Sequence, residues 1–239
     1  MNDWTEIQRW LVPISFVALY IAEVIWPERA YKNMFRHNSF NLLVGLGNMV
    51  WIAFAGVAFQ RWFTHIELKQ WGLFNAWGWD GPFLMVAEIL IIDVFMYGWH
   101  RINHEWSFLW RWHRLHHTDL QMNTTTAIRF HTVELLFSYP ARWLPFTLLG
   151  ISTQAIALHG MLLFPVILWH HSNLSSENAI SRGLSWLLVG PSMHRIHHSN
   201  KVNETNSNYS SLFPWWDGLF GTRVEANQQE VVFGVEDVR

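Results

Sequence analysis

The segment from Asp93 to His117 constrains the fold of this chain more than any other. It begins as apolar sequence suited to a membrane helix and ends with five histidines within eighteen residues. His100 and His104 are four residues apart, so on a helix they lie on one face. The box HRLHH at 113–117 has the same histidine spacing as HRIHH at 194–198. We therefore expect a helical fold that brings these histidines together at a membrane surface.

Apolar runs at residues 10–26, 40–63, 82–99, 133–150 and 152–170 predict membrane helices. The first run is short for a span, since crossing the hydrocarbon core takes about 20 apolar residues. The break between the last two runs predicts a helical hairpin. We predict an all-α integral membrane protein with about four transmembrane helices, the last two as a hairpin, and a cytoplasmic histidine-rich helical cap.

Basic residues in the short loops predict the orientation of the chain in the membrane. They are concentrated in the linker at 28–41 and in the first histidine-rich segment, and they are sparse at the N-terminus and at 64–82. Because cytoplasmic loops are enriched in Lys and Arg, both histidine-rich regions are predicted to be cytoplasmic, with the N-terminus outside. The N-terminus lacks the features of a cleaved signal peptide, so we expect it to be retained.

We expect three regions along the chain. Residues 1–80 hold N-terminal transmembrane helices and loops, residues 81–222 hold the histidine boxes, and residues 223–239 form a polar, acidic C-terminal tail. The aromatic segment at 208–222 is expected to be a turn packed at the membrane interface rather than a substrate-binding box.

The chain contains no cysteine, which limits the ligands available to a metal. Any metal must be held by nitrogen and oxygen, and neutral imidazole suits iron, zinc, copper or nickel. The three boxes supply eight histidines, more than one ion can use, so two metal ions are the natural interpretation. The end of the last apolar run supplies a ninth. The candidate ligands are His100, His104, His113, His116, His117, His171, His194, His197 and His198.

Other polar residues near the boxes are candidate supporting groups. Carboxylates accept the distal ring N–H of a ligating histidine and fix its tautomer. His159, in mid-span, is expected to form an interhelical hydrogen bond, whereas His37 and His65 are expected to be solvated loop residues. The second-tier metal-binding or supporting candidates are His131, His170, Asp93, Glu105, Asp119 and Glu134.

The boxes HRINH, HRLHH and HRIHH together resemble the fatty acid hydroxylase superfamily. The patterns HRxxHE, LWxxHxxHH and NxTTAxR are most similar to its sterol-desaturase-like and alkylglycerol-monooxygenase-like branch. HHSN at 170–173 and WDGLFGT at 216–222 extend the resemblance over about residues 80–222.

The resemblance implies that residues 81–222 form a catalytic domain with a non-haem di-iron centre. Such an enzyme uses O₂ to hydroxylate or desaturate an unactivated C–H bond of a lipid, whether sterol, fatty acyl, sphingolipid or ether lipid. By that resemblance the nine histidines hold two iron ions, and no catalytic residue beyond the metal ligands is expected.

A separate electron donor is also expected. The sequence has no GxGxxG fingerprint for a flavin or nicotinamide and no fused haem domain. A ferredoxin or cytochrome b5-like protein with its reductase would then supply electrons, and Arg101, Arg111, Arg114 and Arg195 are candidate docking residues. The net charge of −2 gives no reason to expect nucleic acid.

Two alternative functions are compatible with the residues alone. A zinc-dependent membrane hydrolase would use a zinc-bound water, but the chain lacks HExxH and has more histidines than such sites generally use. A non-enzymatic metal transporter or sensor would need ligands along a pathway inside the membrane. The boxes lie instead in juxtamembrane segments, so we favour the oxygenase.

Overall fold

The computed structural model describes residues 3–176, 178–227 and 231–236, and its regular elements within them are helices. This confirms the predicted all-α class. In chain order the helices are α1 (Asp3–Ile25), α2 (Met34–Leu68), α3 (Leu73–Ala76), α4 (Gly81–Glu105), α5 (Ser107–His117), a 3-10 helix (Thr124–Ile128), α6 (Thr132–Leu149), α7 (Thr153–His171), α8 (Ala179–Leu184), α9 (Pro191–His197), α10 (Val202–Thr205) and α11 (Trp215–Leu219).

Three described segments are long and apolar enough to cross a membrane: Met34–Ala76, Gly81–Glu105 and Thr153–His171. A shorter apolar helix covers Trp10–Ile25, the run that the sequence predicted to be short for a span. Large apolar side chains along these helices, such as Val50, are exposed rather than packed inside the protein. Such an exposed apolar band is what lipid contact requires, because hydrocarbon replaces water around it.

The turn between α6 and α7 is fixed by a glycine and a buried carboxylate. Gly150 caps α6 with φ of 78°, and a Cβ atom there would lie 2.6 Å from the carbonyl oxygen of Trp71. Glu88 on α4 accepts hydrogen bonds from the backbone N–H and the hydroxyl of Ser152, each 2.7 Å long. The arms of the predicted hairpin are the consecutive helices α6 and α7. The two helices pack on different neighbours, α6 mainly on α2 and α7 on α1 and α4.

Long-range polar contacts hold the start of the chain against the histidine-rich end. Glu23, buried on α1, accepts hydrogen bonds from the backbone N–H groups of Thr124 and Asn173 at 3.0 and 2.9 Å. Arg195 on α9 forms a 2.7 Å ion pair with Glu28 in the linker after α1. These contacts fix the ends of α7 and α9 relative to each other and to the first helix.

His37 corrects one prediction, because it lies half-buried on α2 rather than solvated in a loop. Its Nε2 atom lies 2.6 Å from Asp119, which also accepts hydrogen bonds from Thr126 and Asn41. Burial alone would raise the pKa of Asp119, but the hydrogen bonds from His37 and Thr126 hold this pKa below its ordinary value. His65 is exposed as predicted, although it too lies on α2.

The chain after α9 folds back over the histidine boxes. Part of the predicted polar tail, residues 223–239, carries two buried apolar side chains, Val231 and Phe233. They pack against Met122, which follows α5, and Ile196 on α9. Residues 228–230 and 237–239 of that predicted tail lie outside the described residues.

Candidate metal centre

The candidate site lies where four helices meet at their C-terminal ends. α4 presents His100 and His104 in its last turns, and α7 ends at His171. α5 carries the box at 113–117, while α9 and its C-cap carry the box at 194–198. Because residues i and i+4 share a helix face, His100 points with His104, His113 with His117, and His194 with His198.

All nine predicted ligands lie in two groups of buried or half-buried histidines. In each group, one ring nitrogen per residue lies within 4.8 Å of those of the other members. We name them the five-histidine cluster (His100, His104, His113, His117 and His197) and the four-histidine cluster (His116, His171, His194 and His198). Each cluster could hold a metal ion, and the structure thus brings together the residues selected from sequence.

The two clusters are adjacent. His116 and His117 are consecutive on α5, so their side chains project about 100° apart, one into each cluster. The ring of His117 stacks on that of His198 with centroids 4.3 Å apart, and the rings of His116 and His198 are 4.6 Å apart. Two ions held in the clusters would therefore be neighbours.

Hydrogen bonds in the five-histidine cluster determine where its lone pairs point. The Nδ1 atoms of His100 and His197 each lie 2.7 Å from a backbone carbonyl oxygen, that of Tyr209 and Ser207 respectively. A carbonyl can only accept, so these Nδ1 atoms donate and the Nε2 atoms of the neutral rings carry lone pairs. The two Nε2 atoms are nevertheless only 3.1 Å apart. Two facing lone pairs repel, and a cation bound by both removes the repulsion.

His113 repeats this arrangement in the same cluster. Its Nδ1 atom lies 2.8 Å from the carboxylate of Glu134, so in the neutral ring Nδ1 donates and Nε2 carries a lone pair that faces inward. That Nε2 lies 3.2 Å from the Nε2 atoms of both His100 and His117. His104 completes the group, and neither of its buried nitrogens has a hydrogen-bond partner among the described residues. This donor set fits a cation.

The four-histidine cluster converges in the same way around His171. The Nδ1 atom of His171 donates to the carbonyl oxygen of Ile167 at 2.7 Å, which leaves its Nε2 unprotonated. The Nε2 atoms of His116 and His194 each lie 3.0 Å from it. The Nε2 atom of His198 is the fourth in this cluster, 3.2 Å from Nε2 of His194. This second donor set, all imidazole and buried, also fits a cation.

Burial keeps four of the cluster histidines, His116, His194, His197 and His198, in the neutral form that binds metals. It lowers the pKa of His197 to about 3, although the hydrogen bond to Ser207 opposes the shift. Burial, together with neighbouring histidines, also lowers the pKa values of His116, His194 and His198 well below the ordinary value. A neutral ring keeps one nitrogen free to coordinate, so the clusters are ready to bind a metal at physiological pH.

Of the four candidate supporting carboxylates, Glu134 is the one hydrogen-bonded to a cluster histidine among the described residues. The other three carboxylates form their hydrogen bonds elsewhere, which corrects the prediction that they support a cluster histidine. Asp93 accepts hydrogen bonds from His159 (3.1 Å) and from the indole of Trp216, and Glu105 pairs with Arg101 on the surface. Asp119 bonds His37, as described above. The interhelical hydrogen bond predicted for His159 is confirmed by its contact with Asp93.

The two second-tier histidines lie outside both clusters. His131 caps the N-terminus of α6, where its Nδ1 accepts a hydrogen bond from the N–H of Val133 at 3.1 Å. His170 is buried, and its ring packs 3.9 Å from that of His194. His131 therefore supports a helix end, and His170 supports the ring of a cluster member.

A cavity of about 750 Å³ opens beside the five-histidine cluster, with His104 in its wall. Its lining combines aromatic Phe108 and Trp110 with charges of both signs, Arg111 and Arg114 beside Glu105 and Glu236. A cavity of this volume matches the sites that proteins use for small molecules.

Arg195 was predicted to be part of a docking patch. That prediction is wrong, because the Arg195 side chain is 1% exposed and paired with Glu28.

Sequence reasoning missed the groups that orient the ligands. The carbonyl oxygens of Tyr209 and Ser207 carry no sequence signal, because every residue has one. Thr205 donates to the carbonyl oxygen of His197 at 2.8 Å and lies 3.5 Å from Nδ1 of His117. Tyr209 also packs its ring 5.3 Å from that of His104. The NY pattern at 208–209 was the one sequence signal that could have pointed to Tyr209.

The fold and the site together define a helical membrane protein with two adjacent, metal-binding-type histidine clusters. The fatty acid hydroxylase family matches residues 85–222, which contain every cluster histidine. This chain belongs to that family. No solved structure matches the chain at a significant level.

Curated relatives are lipid-modifying enzymes by name. Alkylglycerol monooxygenase from Xenopus tropicalis is 31% identical over 157 residues, covering 66% of this chain and 34% of that protein. The human alkylglycerol monooxygenase is 30% identical over 171 residues, covering 70% and 36%. Ornithine lipid hydroxylase OlsE from Rhizobium tropici is 31% identical over 144 residues, covering 60% and 43%. The chain therefore spans well under half the length of these relatives.

Proposed function

We propose that the two clusters hold two iron ions and that the protein is a membrane-bound non-haem di-iron oxygenase acting on a lipid. The observation that carries the proposal is the convergence of unprotonated Nε2 atoms in two adjacent buried clusters. Bound there, iron would supply O₂ activation and the oxidation of an unactivated C–H bond, giving hydroxylation or desaturation.

The residues of the chain supply position and shielding for this chemistry. Hydrogen bonds from Nδ1 to Tyr209, Ser207 and Glu134 hold three rings in the ligating tautomer. Burial excludes water from the reacting atoms, which suppresses side reactions. The clusters lie at the ends of the candidate spans α4 and α7, so a lipid held in the bilayer has a short route to them.

The substrate class is proposed from the site and from the names of the relatives. The relatives are named for alkylglycerols and ornithine lipids, and the cavity beside His104 is lined by both apolar and charged residues. A lipid is therefore the proposed substrate, with sterol, fatty acyl, sphingolipid and ether lipid as the classes to be tested.

The zinc hydrolase alternative is weaker at this site. Hydrolysis needs a general base beside the metal-bound water. Glu134, the carboxylate bonded to a cluster histidine, is engaged by His113.

The transporter alternative needs metal ligands along the span. The buried mid-span residues Asp93 and His159 are already hydrogen-bonded to each other. Both alternatives predict a protein that consumes no O₂.

We further propose that electrons reach the protein from a separate ferredoxin or cytochrome b5-like donor. Arg111 and Arg114 lie at the cavity beside the five-histidine cluster, and Arg101 is on the same side, paired with Glu105. The three arginines outnumber Glu105 and Glu236 on this face, which would suit an acidic donor. We also propose that it faces the cytoplasm, as the loop charges predict; a reporter fused after Arg239 should then behave as cytoplasmic.

The test is turnover in a defined membrane. Protein loaded with iron is reconstituted in vesicles of extracted host lipids with ferredoxin, its reductase and NADPH, and the lipids are examined by mass spectrometry. We expect a product that has gained one oxygen or lost two hydrogens, and no product when O₂ or the donor is omitted. His171→Ala should abolish it, while the matched control His131→Ala should retain it. A hydrolysed lipid formed with zinc and without O₂ would support the hydrolase instead.

A further inference from the structure

The aromatic segment at 209–220 packs against the middle of two candidate membrane spans rather than at their ends. The N–H of Phe213 and the indole N–H of Trp216 both donate to Asp93 on α4, at 3.2 and 2.7 Å. Phe220 stacks on Tyr97 of α4 with centroids 5.1 Å apart. The segment is therefore fixed to α4 well before the end of that helix.

The positions of these contacts along the helices give the depth of the segment. Asp93 precedes His100 by seven residues, so at 1.5 Å per residue it lies about 10 Å along α4 from the histidine layer. Leu212 clusters with Leu163 and Val166 of α7, which precede His171 by eight and five residues, or about 12 and 8 Å. Two helices thus independently place the segment inside the span, on the same side of the membrane as the histidines.

The outward side of this segment is apolar. Leu219 is 70% exposed, Phe220 48% and Trp215 45%. Asp217, the one charged residue between 209 and 220, is buried and accepts hydrogen bonds from the backbone N–H groups of Tyr209 and Ser210. The surface therefore presents large hydrocarbon groups and no charge.

Where the segment enters, at residues 212–214, its backbone also meets a requirement of a low-dielectric environment. Irregular backbone at membrane depth is tolerated where it is paired within protein. The carbonyl oxygen of Leu212 accepts from Val189, the N–H of Phe213 is bonded to Asp93, and Pro214 has no N–H to satisfy.

We propose that residues 212–220 form a re-entrant element that inserts into the hydrocarbon of the bilayer beside α4 and α7. Its partner is the acyl chains of the lipid leaflet next to the histidine clusters. The proposal rests on the two candidate spans and not on the metals or the reaction. It gives Asp93 a defined role as the anchor that holds the element at depth.

The absence of cysteine in this chain permits a direct test. A single cysteine is introduced at Leu219, spin-labelled, and the full-length protein is reconstituted in phospholipid vesicles. Accessibility of the label to O₂, which partitions into hydrocarbon, is compared with accessibility to a water-soluble nickel complex. Val50→Cys, exposed on the candidate span α2, is the bilayer control, and Glu225→Cys, exposed and polar, is the aqueous control.

We expect the Leu219 label to match the Val50 label, with the ratio of O₂ to nickel accessibility several-fold above that at Glu225. Trp215→Cys should give the same result, so a local disturbance at one position does not decide the test. Ratios equal to that of Glu225 would overturn the proposal. Labels shielded from both reagents would also overturn it, since they would show a protein partner, such as a second copy, on this face.

Discussion

The two histidine clusters have similar ligands but differ in what holds their rings. In the five-histidine cluster, three Nδ1 atoms donate to fixed acceptors, namely two backbone carbonyls and the carboxylate of Glu134. In the four-histidine cluster, His171 alone does so among the described residues. The Nδ1 atoms of His116, His194 and His198 are buried and have no such partner in the described part of the chain.

Packing replaces hydrogen bonding in the four-histidine cluster. His116 lies parallel to the ring of Phe130 with centroids 4.5 Å apart, and His194 packs against His170. Stacking fixes the plane of a ring, but it neither selects the tautomer nor raises the basicity of the ligating nitrogen as an Nδ1 hydrogen bond does. The comparison therefore predicts one tightly held metal ion and one that is more easily lost.

The largest expected effect comes from removing a ligand at the centre of each cluster. His197→Ala should empty the five-histidine cluster and His171→Ala the four-histidine cluster, so each variant should retain about one of two irons. Activity should fall to background in both, because the proposed reaction needs both ions. Elemental analysis of purified protein measures the metal, and unchanged iron in both variants would contradict the assignment.

Glu134 provides the next test, because it is the charged support of the five-histidine cluster. Glu134→Gln should weaken metal binding at that cluster by about 10- to 100-fold, the usual cost of losing such a partner. Glu105→Gln is the matched control, since Glu105 is exposed and bonded to Arg101. Competition with a chelator measures the affinity. Equal loss in the two variants would show that the Glu134 contact does not support a metal ligand.

A smaller effect is expected from the stacking that holds the four-histidine cluster. Phe130→Leu keeps an apolar side chain but removes the parallel ring from His116. Aromatic pairs contribute roughly 0.5–1.5 kcal/mol beyond their buried area, so metal affinity there should fall about two- to tenfold. The affinity of the five-histidine cluster should stay unchanged, and a loss confined to that cluster would reverse the comparison.

The smallest expected effect on metal binding is that of His131. His131→Ala removes the N-terminal cap of α6, which should lower the free energy of unfolding by about 1 kcal/mol. Metal affinity and activity should stay as in the unaltered protein. Thermal unfolding and elemental analysis check the two statements, and loss of one iron would return His131 to the list of ligands.

The sequence predicted which histidines cluster better than it predicted their surroundings. Spacings of three and four residues fix helix faces, so the eight box histidines were identifiable from local pattern, and His171 from its place at the end of the last apolar run. Which cluster each joins depends on how α4, α5, α7 and α9 meet, which no local pattern encodes. Long-range pairs such as His37 with Asp119 and Arg195 with Glu28 were missed for the same reason. The depth of the segment at 212–220 likewise follows from its contact with Asp93 and not from its composition.

The most direct test of the central claim is an anaerobic titration of metal-free protein with Fe²⁺. The comparison of the clusters predicts two ions bound per chain in two separable phases. His197→Ala should remove the tighter phase and His171→Ala the weaker one. Uptake of a single ion, or two phases that both variants leave unchanged, would contradict the claim that these clusters are two metal sites with differently supported ligands.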